Sequence, residues 1–115
     1  MRNFKKYHVW ELSHQLTLEV YRLTQAFPNS EKYQLISQMQ RAAYSIPSNF
    51  CEGCGRKSDK EFSRFIQICL GSAHELEYFF ILVKDLKYIS ENDCQGFSEK
   101  LNIIKRKLYT LDKRL

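Results

Sequence analysis

The residues with the most obvious chemical capacity lie in one stretch, RAAYSIPSNFCEGCGR at 41–56, where Cys51 and Cys54 form a Cys-x-x-Cys. A structural zinc site takes four ligands, and a second pair should follow at finger-like spacing. None follows: Cys69 and Cys94 are isolated, and His74 has no histidine three to five residues away. A thioredoxin-like dithiol needs a βαβ setting that this sequence does not offer. Cys51 and Cys54 therefore read as small apolar packing residues, with their thiols reduced. Glu11-x-x-His14 has the spacing of one half of a di-iron helical-bundle site, but the partner half is missing, because Gly71 stands three residues before His74. GCGRKS at 53–58 has the glycines of a phosphate loop without the preceding strand. Carboxylates are scattered, with no pair that spacing brings together. These readings predict no enzyme, no metal and no cofactor.

Two polar patterns remain. Gln38, Arg41, Ser45, Asn49, Glu52 and Arg56 recur every three or four residues, one face of a helix. Such a face is either solvated or part of a polar network between helices or subunits, with Arg41 or Arg56 forking onto Glu75; Gly71-Ser72 would allow a close backbone approach there. The second pattern is charge. Residues 1–99 balance 12 Lys and Arg against 12 Asp and Glu, whereas residues 100–115 carry six cations and one carboxylate, the whole net +5. Lys105, Arg106, Lys107, Lys113 and Arg114 are the candidate phosphate contacts, facing away from Leu101, Ile104, Leu108 and Leu111. Cations at a helix C-terminus also complement its dipole without any ligand. No stacking motif argues for base readout, so binding should follow shape and salt.

The elements that must hold these residues are helices. Val9, Leu12, Leu16, Val20, Leu23 and Phe27 make one apolar stripe, over about His8–Ala26. Ile36, Met39, Ala43, Ile46 and Phe50 make a second, from about Ser30 onward. The third opens at a Ser58/Glu61 capping box and runs through Phe62, Phe65, Cys69, Ala73, Leu76, Phe80 and Val83, with Ile66, Leu70, Ile81 and Leu82 widening its apolar face. Cys94, Phe97, Leu101, Ile104, Leu108, Leu111 and Leu115 mark the fourth, from near Ser90. FPNS (27–30), GRKS (55–58) and YISEND (88–93) are the loops. The predicted fold is all-α, an antiparallel up-and-down four-helix bundle in a single domain over 1–115. Its third helix has more apolar surface than one small core needs, which fits either a central helix or an oligomer. No apolar run approaches a membrane span and no signal-peptide core is present, so the expected location is the cytoplasm, without a membrane partner.

FPNSEKYQLISQMQRAAYSIPSNFCEG with EFSRFIQICLGSAHELEY resembles one family, the four-helix-bundle proteins encoded within intervening sequences of 23S ribosomal RNA. The matching elements are Phe27-Pro28, Gln38, Arg41-Ala42-Ala43, Ser45-Ile46-Pro47, Asn49, Glu52-Gly53, Gly55-Arg56, Gly71-Ser72 and Glu75-Leu76-Glu77; Trp10 and Tyr21 sit as usual in the opening helix. Phe50-Cys51 replaces the commoner Ile-Ala, which strengthens the packing reading of Cys51. The resemblance implies a homopentamer without catalysis, and a relative, the accessory protein of diversity-generating retroelements, supplies a precedent for RNA or DNA binding alongside a protein partner. It also implies that Pro47 lies inside helix 2 and bends it, leaving the Ala43 carbonyl short of a donor at a cost of about 3 kcal/mol unless compensated. Ser45 and Ser48 are the expected compensators. Gly53 or Gly55 then ends the helix with a left-handed cap.

Overall fold

The computed structural model describes residues 2–115. A short 3-10 turn, Phe4–Lys6, leads into α1 (His8–Thr24). A 3-10 turn at Asn29–Glu31 and one π-helical turn at Lys32–Ile36 precede α2 (Ser37–Cys54), so the regular second helix starts later than its apolar stripe suggests. The last two helices are α3 (Asp59–Asp85) and α4 (Glu91–Lys113). Ser58 caps α3 by accepting from the Glu61 amide at 3.1 Å, and Ser90 caps α4 through the Asp93 amide at 3.0 Å.

Cross-helix contacts run in opposite residue order. Between α1 and α2, Thr24 meets Gln40, Thr17 meets Ala43, and the Arg2 amide reaches the Cys54 carbonyl. Between α3 and α4, Phe80 meets Cys94, Glu77 meets Lys105, and Ser63 and Gln67 meet Asp112. The start of α1, the end of α2, the start of α3 and the end of α4 thus share one end of a body 43 × 25 × 20 Å.

Phe50, Phe62, Phe80, Leu16, Met39 and Leu76 are among the largest side chains sealed in the core. By length and composition α3 could span a membrane. Here it is the central helix, with nine residues from Phe62 to Val83 buried. Ile66 and Leu70 are among the nine, while Ile68, Tyr78 and Ile81 stay exposed. On α1 the buried face is turned from the expected one: Ser13, Thr17 and Thr24 are buried while Leu12 and Leu23 are only half-buried.

Those hydroxyls explain how Pro47 is tolerated. The helix continues through it, and Pro47 is buried. Thr17 donates to the Ser13 carbonyl at 2.8 Å and also reaches the Ala43 carbonyl at 3.2 Å, the group that a residue-47 amide would otherwise serve. The compensating donor therefore comes from α1, not from Ser45 or Ser48. Two more side chains attend the same turn: Asn49 donates to the Ser45 carbonyl at 2.8 Å, and the Cys69 thiol to the Ile46 carbonyl at 3.3 Å.

The glycine expectation is corrected. No glycine has positive φ, and Gly55 ends α2 at φ −82°, ψ −5°. Gly53 lies within the helix for a steric reason: a Cβ there would sit 2.7 Å from Phe65 Cβ and 3.0 Å from Phe62 Cδ1. The left-handed residue is instead Lys87 (φ 66°), after α3. Its amide bonds the Lys84 carbonyl at 2.9 Å and the Tyr88 amide bonds the Val83 carbonyl at 2.8 Å, a Schellman closure built without glycine.

Candidate nucleic-acid interface

Antiparallel packing concentrates charge in a way that the chain order hides. The segments 2–11, 52–64 and 105–115 meet at one end of the bundle and hold twelve of the eighteen Lys and Arg but five of the thirteen Asp and Glu. That end carries a surplus of seven positive charges, and the rest of the molecule a deficit of two. The apparent neutrality of residues 1–99 comes from averaging the two ends. Arg2, Lys5, Lys6, Arg56, Lys57, Lys60 and Arg64 belong to the basic end and were not among the candidate phosphate contacts read from the sequence; only the topology could place them there.

The five sequence candidates divide. Lys105 lies one turn or more inside the cluster, its side chain 12% exposed, and its Nζ is bound to Glu77 Oε1 at 2.5 Å. It ties α4 to α3 and is withdrawn from the phosphate set, because a paired, half-buried ammonium has no free face for a ligand. Arg106, Lys113 and Arg114 are exposed and Lys107 half-buried, and none of the four forms an ion pair among the described residues. Arg106, Lys107 and Arg114 line one groove of about 430 Å³ between α4 and the start of α1. Asp112, the one carboxylate of the C-terminal segment, is turned away: its oxygens accept from Ser63 Oγ at 2.5 Å and Gln67 Nε2 at 2.7 Å.

The helix-2 stripe lies on the surface. Gln38, Arg41, Glu52 and Arg56 are exposed, and Ser45 and Asn49 half-buried. Arg56 lies 3.7 Å from Glu52 on its own helix and over the Phe65 ring at 4.8 Å. Neither Arg41 nor Arg56 reaches Glu75 within the protomer, and Glu75 is exposed without an ion-pair partner among the described residues. Gly71 has open space where a Cβ would stand, so among the described residues no neighbouring element approaches it closely.

The four cysteines are free thiols. Cys54 and Cys69 are buried, and burial raises their pKa to about 11 and about 12. Cys51, half-buried, is also pushed up by desolvation; the Trp10 indole N–H lies beside it but finds no acceptor at hydrogen-bonding geometry. Protonated thiols of this kind are weak nucleophiles and poor metal ligands. Among the described residues, no three His, Cys, Asp or Glu side chains gather where they could hold an ion.

Fold and surface together define a class: an all-helical bundle, basic at one end, with free thiols and with its polar helix-2 stripe on the protomer's surface. The chain belongs to the 23S rRNA-intervening sequence protein family, whose model matches residues 5–110. Among solved structures it is similar to a protein of unknown function from the S23 ribosomal protein family of Bacteroides thetaiotaomicron. The two share 24% identity and a TM-score of 0.84 over 91% of this chain and 98% of that one, a likeness of fold. No curated protein matches the chain.

Proposed function

We propose that this protein is a non-enzymatic, cytoplasmic homo-oligomer, the pentamer that the family resemblance implies, and that it binds RNA or DNA through its basic end. The observation that carries this reading is the polarised charge, in which Arg106, Lys107, Lys113 and Arg114 lack carboxylate partners at the end where Arg2, Lys5, Lys6, Lys57 and Lys60 also gather. Dipole complementation explains Lys113 and Arg114 at the end of α4, but not cations drawn from three separate segments. Repetition around a ring would multiply a modest patch by avidity.

Solution mass followed by a salt titration of RNA and DNA binding tests it. Four phosphate contacts per protomer give a slope of log affinity against log salt of about −3 to −4. Arg106→Glu with Arg114→Glu should abolish binding, and binding that is absent at low salt, or indifferent to salt, overturns the reading. A second reading is favoured by the exposed Tyr44, Ile68, Tyr78 and Ile81: a scaffold that docks a protein partner, its charge incidental. Partner capture that survives high salt would select it.

A further inference from the structure

The groove between α1 and α4 has a floor as well as a charged rim. Tyr7, Val9, Ile103 and Leu111 line its apolar side, and Arg106, Lys107 and Arg114 its cationic side, with no carboxylate among the lining residues. Tyr7 is held rigid, its ring set edge-on to Phe50 at 5.3 Å and Phe62 at 6.5 Å. Ile103 is 44% exposed beside these cations, so its side chain is open to a ligand in the groove. About 430 Å³ is the size of a site for one small planar group, not for a double helix.

We propose that this groove is a single-strand pocket, taking one unstacked nucleotide with its base against Ile103, Val9 and Tyr7 and its flanking phosphates on Arg106, Lys107 and Arg114. The proposal rests on the nucleic-acid reading above and adds the state of the strand. Lys107 and Arg114 are seven residues apart on one helix, about 10 Å along its axis, so a base entering between them has a cation on either side for its 5′ and 3′ phosphates. A paired base is shut inside its stack and cannot reach the floor, so a duplex meets the rim alone. An unpaired base brings a flat apolar face that the floor removes from water, the usual basis of sequence-tolerant single-strand binding. An acidic peptide would satisfy the rim, but its carboxylates bring no flat apolar body to the floor.

The test compares, at one salt concentration, anisotropy titrations of the full chain with labelled oligo-dT, an abasic oligomer of equal length and charge, a duplex, and poly-glutamate. Oligo-dT should bind about fivefold or more tighter than the abasic strand. Ile103→Ser, at an exposed site that leaves the core intact, should erase that difference without changing the salt slope. Arg106→Gln with Arg114→Gln should weaken both strands alike and flatten the slope. Equal binding of oligo-dT and the abasic strand, with Ile103→Ser silent, overturns the pocket and leaves the nucleic-acid reading standing. Poly-glutamate binding as tightly as oligo-dT, with the same sensitivity to Ile103→Ser, overturns it in favour of an acidic protein. If no polymer binds, both readings fall together.

Discussion

Thr17 is the sharpest place to test how this fold accommodates a proline in the middle of a helix. Its hydroxyl is shared between its own helix at Ser13 and the Ala43 carbonyl of α2, and the residue is 7% exposed. Thr17→Val keeps the shape and removes the hydroxyl, leaving Ala43 without a donor. A buried carbonyl so orphaned costs about 1–3 kcal/mol. The proton is shared and the Ala43 contact is the longer of the two, so about 1–1.5 kcal/mol is expected, or about 3–6 °C in Tm for a chain of this size. In a Pro47→Ala background the residue-47 amide can serve Ala43 directly, and the same Thr17→Val change should cost only a few tenths. The double-mutant cycle should therefore show a coupling of about 1 kcal/mol. Urea unfolding at one fixed protein concentration gives all four corners, the fixed concentration being needed because assembly shifts apparent stability. A Thr17→Val penalty independent of residue 47, with coupling below about 0.3 kcal/mol, would refute the cross-helix compensation.

Two glycines should respond oppositely to alanine. Gly53→Ala drives a methyl into Phe65 and Phe62 and should destabilise by about 1–3 kcal/mol in denaturant melts. Gly71→Ala meets nothing within the protomer and should stabilise an isolated protomer by about 0.5–1 kcal/mol; a change in solution mass instead would place Gly71 against another subunit. Lys87→Gly should raise stability by about 0.5–1 kcal/mol, because φ 66° strains a residue carrying a Cβ, and a lower Tm would mean that the lysine side chain matters more than the strain. Alkaline stability follows from the thiols. The unfolded chain loses thiol protons near pH 9.0 while folded Cys54 and Cys69 hold theirs to about 11 and about 12, so the unfolded state binds fewer protons in that window and stability falls as pH rises through it. Cys54→Ala should make the fall in Tm between pH 9 and 11 shallower.

Much of the architecture was legible in local pattern. On the α4 stripe Cys94, Leu101, Ile104 and Leu108 are buried where the three-and-four spacing places them and Phe97 is half-buried, and the Ser58 cap of α3 was readable from Glu61 three residues on. The rotation of α1 was not, because Ser13 and Thr17 look like surface residues until the Ala43 carbonyl across the interface gives them a partner. Gly53 looked like a terminator because glycine serves both caps and close contacts, and only the position of α3 separates the two uses. The left-handed Lys87 carries no local signal at all. For the candidate site, Arg106, Lys107 and Arg114 could be named from the C-terminal charge run. The withdrawal of Lys105 depends on Glu77, 28 residues earlier, and the rest of the basic end depends on which termini the bundle brings together.

The separation of charge along the bundle has a consequence for how basic the protein looks. At physiological ionic strength the screening length is about 8 Å, so the 43 Å body is about five screening lengths long. A polyanion touching the basic tip is shielded from the carboxylates at the opposite tip and feels the local surplus, six once Glu77 is counted with the Lys105 it binds, not the net +5. The isoelectric point of about 9.1 averages over both ends and understates the field that such a ligand meets. Diluting the salt lengthens the screening distance and lets the far carboxylates partly oppose the attraction, so part of the gain in affinity normally won at low ionic strength is given back.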